Sequence, residues 1–270
     1  MRIAFLGGGN MAGALIGGLI AKGFDATAMH VIEVSADARE RLAARYAVQI
    51  GERPDAAMRA CDTLVLAVKP QDMRAALGSI EIDLGGTLVI SIAAGLRLEA
   101  LSRWMRGHRR IVRCMPNTPA LIGKGISGLY ALPEVSADER ARAEQVLAAV
   151  GEVVWVEAET LLDPVTALSG SGPAYVFWFI EQLAAAGERL GLEPQTARRL
   201  ALATVRGAAE LAAGAAEPPS VLRERVTSKG GTTEAALKVF AEERMGERLA
   251  RALEAASRRG AELGDSLGKD

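Results

Sequence analysis

Ile3-Ala4-Phe5-Leu6-Gly7-Gly8-Gly9-Asn10-Met11-Ala12, near the start of the sequence, carries its strongest fold signal. Residues 3–6 form a short apolar strand candidate that runs straight into three glycines. Residues 10–22 then place Met11, Ala12, Leu15, Ile16, Leu19 and Ile20 on one helical face, ending at Gly23. Gly7, Gly9 and Ala12 fit the pattern G-x-G-x-x-A. Gly7 permits the tight turn, Gly9 lets the backbone approach a pyrophosphate, and Ala12 is small enough for the helix to pack on the strand. The helix start offers free N–H groups and the positive end of a dipole to the anion. A glycine motif alone is a weak signal, and a flexible loop is the bland alternative. The strand–turn–helix context turns it into an expectation of dinucleotide binding, with Leu6, Gly7, Gly8, Gly9, Asn10, Met11 and Ala12 along the cofactor.

Outward from this turn, strand and helix signals alternate. Residues 28–34, 63–68, 87–92 and 111–115 read as strands, and 36–46 as a helix. The strands are nearly continuously apolar, as strands covered on both faces of a parallel sheet should be. Ser136-x-x-Glu139 is a capping box that opens a helix ahead of a last strand at 153–156. Beyond it the strand signals stop, and 164–191, 194–214, 219–226 and 233–264 read as helices punctuated by Gly and Pro. The expected architecture is an α/β Rossmann-type doubly wound parallel sheet over 1–156, followed by an all-α domain over 157–270. Gly260, Gly264 and Gly268 predict a frayed carboxy-terminal end.

Composition narrows the function classes. With 270 residues, 50% hydrophobic and 24% charged, the chain can build a sizeable core. A net charge of −1 gives no basic field for nucleic acid or an anionic membrane, and an aromatic share of 4% gives no base-stacking surface. Cys61 and Cys114 make no disulfide framework and read as buried free thiols. His30 and His108 stand in no metal-ligand pattern, so neither a His-ligated metal nor a Ser-His-Asp triad is expected. No long uncharged apolar stretch and no signal-peptide pattern is present, which points to the cytoplasm.

Glu33 closes the second strand candidate, 24 residues after Gly9, roughly where an acid takes the ribose hydroxyls of NAD. A solvated strand end explains it equally well. Ser35, Arg39 and Arg41 follow and could accommodate a 2′-phosphate, so the residues leave NAD and NADP open.

Further turns follow the strands. Ala67-Val68-Lys69-Pro70-Gln71, Ser91-Ile92-Ala93-Ala94-Gly95 and Met115-Pro116-Asn117-Thr118-Pro119-Ala120 each sit directly after a strand candidate. In an open parallel sheet such turns share one crevice at the carboxyl ends of the strands. Simple strand termination explains one of the prolines easily, but not three turns on one edge. Later, Ser228-Lys229-Gly230-Gly231-Thr232-Thr233 precedes a helix near Glu234. Glycines followed by free amides make a carboxylate cradle, although an ordinary Thr N-cap has the same local pattern.

Taken together with Ala167-Leu168-Ser169-Gly170-Ser171-Gly172-Pro173-Ala174-Tyr175, these motifs resemble pyrroline-5-carboxylate reductase, from residue 1 to about 260 and in the family's order. The resemblance implies reduction of the cyclic imine 1-pyrroline-5-carboxylate to proline, with NADPH, or alternatively NADH, as hydride donor. It implies that Ser35, Ala67, Val68, Lys69, Pro70, Ala93, Ala94, Gly95 and Asn117 join the first turn around the cofactor. It implies that Ser228, Gly230, Gly231, Thr232 and Thr233 hold the substrate, with Thr233 hydrogen-bonding near the ring nitrogen as the catalytic residue. It also implies a homodimer with interleaved helical domains, further assembled in some members into a decamer. Lys229 departs from the family, which has proline there; lysine adds a cation and removes a rigid φ.

Two other classes are distinguishable. A β-hydroxyacid dehydrogenase would carry a catalytic lysine on the long helix after a glycine-rich turn, and residues 173–188 contain no Lys or Arg. A non-catalytic dinucleotide sensor would not need the G-G-T-T turn. Tyr175, Phe177, Trp178 and Phe179 read as core or subunit interface, and Trp104 and Trp155 as packing residues.

Overall fold

The computed structural model describes residues 1–80 and 84–269. Its sheet contains β1 (Ile3–Leu6), β2 (Met29–Ile32), β3 (Gln49–Gly51), β4 (Thr63–Leu66), β5 (Leu88–Ser91), β6 (Ile111–Met115), β7 (Gly125–Ala131) and β8 (Gly151–Trp155). The order is β3-β2-β1-β4-β5-β6-β7-β8. Neighbours run parallel except β6 and β7, which are antiparallel.

Every residue of β1, β2, β4 and β5 is buried, because both faces of the sheet are covered. The pleat divides each strand between two cores. Phe5, Val31 and Val65 align across β1, β2 and β4 and pack with Leu15, Ile16 and Leu19 of the helix Asn10–Ala21. Ala4, Leu6, Leu64 and Leu66 point the other way, against Met73 and Leu77 of the helix Pro70–Gly78 and Leu98 and Leu101 of the helix Leu98–Trp104. This is the doubly wound arrangement expected from the alternating runs.

β2, β4 and β5 are shorter than the apolar runs 28–34, 63–68 and 87–92 because the last one or two residues of those runs leave the ladder for the turns at the carboxyl edge. The helix after β2 spans Ala36–Arg45, with the Ser35 side chain accepting from the Ala38 N–H at 3.4 Å. The capping box forms in both directions: Ser136 Oγ accepts from the Glu139 N–H, and Glu139 Oε2 from the Ser136 N–H. Strand β7 escaped the sequence reading. Gly125, Ser127 and Gly128 interrupt its apolar pattern, and Gly128 is there because a Cβ would lie 2.6 Å from Val165 Cγ1.

The strands end at Trp155, where the composition changes, but the compact unit that holds them continues. It comprises residues 1–171 together with 255–270, and residues 172–254 form a second compact unit. The reason lies in a buried charge network. Arg113 of β6 donates to Glu159 at 2.9 Å and lies 3.8 Å from Asp163, while Arg97 donates to Asp163 at 2.8 Å. Glu159 also accepts from the Leu98 N–H. These pairs tie the segment after β8 to the sheet.

The carboxy-terminal end is docked rather than frayed. The helix Met245–Leu267 reaches Gly264, which is buried beneath the Arg97 guanidinium; a Cβ there would sit 2.8 Å from Arg97 Nε. Leu267 packs on the second core, and Arg103 donates to the Gly268 carbonyl at 2.6 Å.

The second unit is helical: Gly172–Arg189, Pro194–Gly214, Pro219–Arg225, Thr232–Glu242 and the start of Met245–Leu267. The run 164–191 read as one helix is instead Leu162–Val165, a π turn at Thr166–Gly170 and Gly172–Arg189. Ser171 N–H reaches back to Thr166 at this break. The run 233–264 is likewise divided, by Arg244 at φ +53°. Only Ala197 and Ala201 are buried within the long helices Gly172–Arg189 and Pro194–Gly214, while Phe177, Trp178 and Phe179 are exposed.

Arg113→Ala leaves Asp163 and Glu159 short of a buried cation and should lower unfolding free energy by about 3–5 kcal/mol. Arg259→Ala, which breaks only the exposed pair with Glu262, should cost less than ~1 kcal/mol in the same urea titrations.

Candidate functional site

Ladder hydrogen bonds carry on just past the strands and align their turns. Gly7 N–H donates to the Ile32 carbonyl at 2.8 Å, Ala67 N–H to Leu6 at 2.8 Å, and Ile92 N–H to Leu66 at 3.1 Å. The turns after β1, β2, β4 and β5 therefore stand in a row. From β1 the chain proceeds to β2 and β3 on one side, and β4 begins the other side, so the row is centred on the topological switch point.

Gly7 has φ +100°, and a Cβ on it would lie 2.8 Å from the carbonyl carbon and oxygen of Ala67. The backbone alone fits there. Gly9 is exposed, with open space where its side chain would be. It is the N-cap of the helix Asn10–Ala21, and no side chain caps that helix. The amides of its first turn, at Asn10, Met11 and Ala12, are thus left for an external acceptor. An open glycine before an uncapped helix start fits the pyrophosphate of a dinucleotide.

The flanking turns complete the edge. Ala67 and Val68 are half-buried, and Lys69 is the uncapped N-cap of Pro70–Gly78, with Pro70 at its first position. Ala93 is buried, Ala94 exposed, and Gly95 lies against Leu263 and Leu267 of the returning carboxy-terminal helix. Asn117 differs from the others. Its Oδ1 accepts from the Ile126 N–H at 3.0 Å and its Nδ2 donates to the Ser169 carbonyl at 3.2 Å. The carboxamide is directed inward and fixes the start of β7 to the π turn, a role that β7, unseen in the sequence, would have been needed to reveal.

At the end of β2 the sequence singled out Glu33, Ser35 and Arg39. Glu33 Oε2 accepts from the Gly8 N–H at 2.7 Å and Oε1 from the Ser35 N–H at 2.8 Å. Arg39 donates to the carbonyls of Glu33 and Val34 at 2.8 and 2.9 Å and lies 3.7 Å from Glu52.

The second glycine turn lies in the helical unit. Thr232 begins the helix Thr232–Glu242, one residue earlier than the sequence reading placed it, with Gly231 as an N-cap that no side chain caps. Gly231 N–H donates to the Ser228 carbonyl at 3.0 Å, and a Cβ on Gly231 would meet Ser228 Oγ at 2.5 Å. Glu234, not anticipated, accepts from the Gly230 N–H at 2.7 Å. Ser228, Lys229, Gly230 and Thr232 are exposed and Thr233 is half-buried. The turn presents helix-start amides and hydroxyls, the chemistry that receives a carboxylate.

The thiols take no part. Both cysteines are free and buried, and burial pushes Cys61 up to about 11 and Cys114 up to about 12. Neither forms a thiolate at neutral pH.

Two family models match the chain: pyrroline-5-carboxylate reductase dimerisation over residues 159–263, and NADP oxidoreductase coenzyme F420-dependent over residues 2–95. The pyrroline-5-carboxylate reductase of Pseudomonas aeruginosa is 46% identical over 99% of this chain and 98% of its own length. That of Synechocystis is 41% identical over 98% of both. Among solved structures, a pyrroline-5-carboxylate reductase from Coxiella burnetii is similar at TM-score 0.90 and 39% identity, over 97% of this chain and 98% of that one. The Plasmodium falciparum pyrroline carboxylate reductase with NADP bound is similar at TM-score 0.84 and 28% identity, over 98% of each chain.

Gly7→Ala introduces a Cβ against backbone that cannot move aside. It should destabilise the fold by at least ~2 kcal/mol and abolish dinucleotide binding, read by thermal unfolding and by quenching of protein fluorescence on titration with NADH.

Proposed function

The chain belongs to the pyrroline-5-carboxylate reductase family, and from that membership and its two uncapped helix starts we infer an NAD(P)H-dependent reduction of 1-pyrroline-5-carboxylate to L-proline. The reaction is the last step of proline biosynthesis, at a C=N bond. The observation that carries the division of labour is that two glycine turns feed two helices with no side-chain cap, at Gly9 and at Gly231. One anion seat suits a pyrophosphate and the other a substrate carboxylate.

A bound reduced nicotinamide supplies the hydride. Gly7, Gly8, Gly9, Asn10, Met11 and Ala12 hold the pyrophosphate, and the turns at Ala67–Pro70 positions 67–70 and at 93–95 border the rest of the dinucleotide. Ser228, Gly230, Gly231 and Thr232 bind the substrate carboxylate. Thr233, directly or through a water, gives a hydrogen bond at the ring nitrogen and holds the proton there. Hydride addition to the carbon of the protonated C=N bond sends the π pair to nitrogen as its lone pair, and the secondary amine results. A protonated imine is a strong electrophile, so no histidine or buried acid pair is required. Orientation of this kind contributes roughly 7–11 kcal/mol when the geometry is good.

The matched dimerisation model supports self-association. We extend it to a homodimer with interleaved helical domains that can assemble further into a decamer, working in the cytoplasm. Phe177, Trp178 and Phe179, exposed by 65%, 54% and 43%, support this, because a lone soluble chain rarely leaves such a run uncovered. No described helix is long and apolar enough to cross a membrane.

With pyrroline-5-carboxylate the protein should oxidise reduced nicotinamide and release proline. Thr233→Ala should lower kcat about a hundredfold with little change in cofactor affinity, and Thr233→Ser should restore most of it. Unchanged kcat in Thr233→Ala would remove Thr233 from the chemistry. Trp178→Glu should shift the protein from dimer or decamer to monomer in sedimentation velocity, with loss of turnover.

A further inference from the structure

The end of β2 stands where the adenosine ribose of a dinucleotide lies in this kind of fold. The Glu33 carboxylate is held beside the first glycine turn by two amides, Gly8 at 2.7 Å and Ser35 at 2.8 Å. The setting is tight on every side. Gly7 N–H is bonded to Ile32, the residue before Glu33, and a Cβ on Gly8 would meet Leu42 Cδ1 at 2.5 Å and Glu33 Cβ at 3.3 Å. The carboxylate therefore cannot swing away from the turn without breaking both of its bonds.

An ionised carboxylate accepts at about four lone-pair sites. The two amides use one on each oxygen, which leaves one on each. An acid at this position in a dinucleotide fold takes the adenosine ribose hydroxyls, which are donors. NADPH replaces the 2′-hydroxyl by a phosphate, which carries close to two negative charges and offers acceptors only. Beside Glu33 it meets a like charge and finds no donor in it.

The groups that could compensate are engaged elsewhere. Arg39 gives one nitrogen to the carbonyls of Glu33 and Val34, and its other terminal nitrogen lies 3.7 Å from Glu52. Arg41, two residues on, lies on the opposite side of the helix from Arg39. The start of Ala36–Arg45 would be a phosphate seat if it were open, but the Ser35 hydroxyl caps it, the Ser35 N–H is bonded to Glu33, and Asp37 occupies its first turn.

We propose that Glu33 sets the cofactor preference of this chain toward NADH, with NADPH accommodated more weakly. The proposal rests on the reductase reading above and adds to it the choice of dinucleotide. It also gives Glu33 two tasks, seating the glycine turn and selecting the ribose.

Dissociation constants for NADH and NADPH, measured without substrate by nicotinamide fluorescence, test it directly. The wild type should bind NADH roughly tenfold or more tightly than NADPH, with the same order in kcat/KM for pyrroline-5-carboxylate. Glu33→Gln removes the charge and keeps the size; it should tighten NADPH about tenfold and weaken NADH a few-fold. Glu33→Ser should reverse the order. Equal or tighter binding of NADPH by the wild type overturns the proposal, and with proline still formed it leaves the reductase reading intact. An unchanged NADH-to-NADPH ratio in a folded Glu33→Gln also overturns it. Failure of the wild type to bind either dinucleotide overturns both readings. The wild-type ratio and Glu33→Gln decide the matter should Glu33→Ser not fold.

Discussion

Between the turn that leaves β1 and the turn that leaves β4 there is room for backbone and nothing else. Gly7 passes Ala67 so closely that no side chain fits, and on its two flanks Gly7 N–H reaches Ile32 while Ala67 N–H reaches Leu6. This contact brings the strands on either side of the switch point to a common edge. It also aims the helix Asn10–Ala21 so that its open start lies at that edge rather than behind it. The two cores above and below the sheet are consequences of the same register, since the pleat that sends Phe5 to one face sends Leu6 to the other.

The two glycine turns share a second design. In each, an amide of the turn is taken by one of the chain's own carboxylates at 2.7 Å: Gly8 by Glu33, and Gly230 by Glu234. The turn is thereby pinned before any ligand arrives. The amides that remain belong to the helix starts after Gly9 and Gly231, where side chains provide no cap. Each turn is thus held by an internal anion in one place and left open in the next, a form of preorganisation that spares the ligand the cost of ordering the loop.

Much of this is written locally in the sequence. β1 and β6 are read to the residue because apolar runs bounded by Gly or Pro have few alternatives, and the Ser136–Glu139 cap is a purely local motif. What escapes is set by distant neighbours. Gly128 looks like a strand breaker until Val165 is seen against it, and Gly264 looks like a helix end until Arg97 is seen above it. Asn117 reads as a crevice residue, yet its carboxamide partners, Ile126 and Ser169, belong to β7 and to a π turn that no short-range pattern announces. Likewise Glu33 is visible as an acid at a strand end, but its grip on Gly8 spans 25 residues of chain and appears only once β1 and β2 are paired.

The return of residues 255–270 to the sheet-bearing unit has a consequence for biogenesis. Residues 172–254 are an insertion in a discontinuous domain, entered once and left once. During folding the strands can pair early, but the last packing on the turn after β5 needs the chain beyond the whole helical insertion, since Leu263 and Leu267 supply it. The helical insertion, with its apolar side chains, emerges before that closure. Closure of the sheet-bearing unit is therefore a long-range event, and Leu263 and Leu267 act as the latch that completes it.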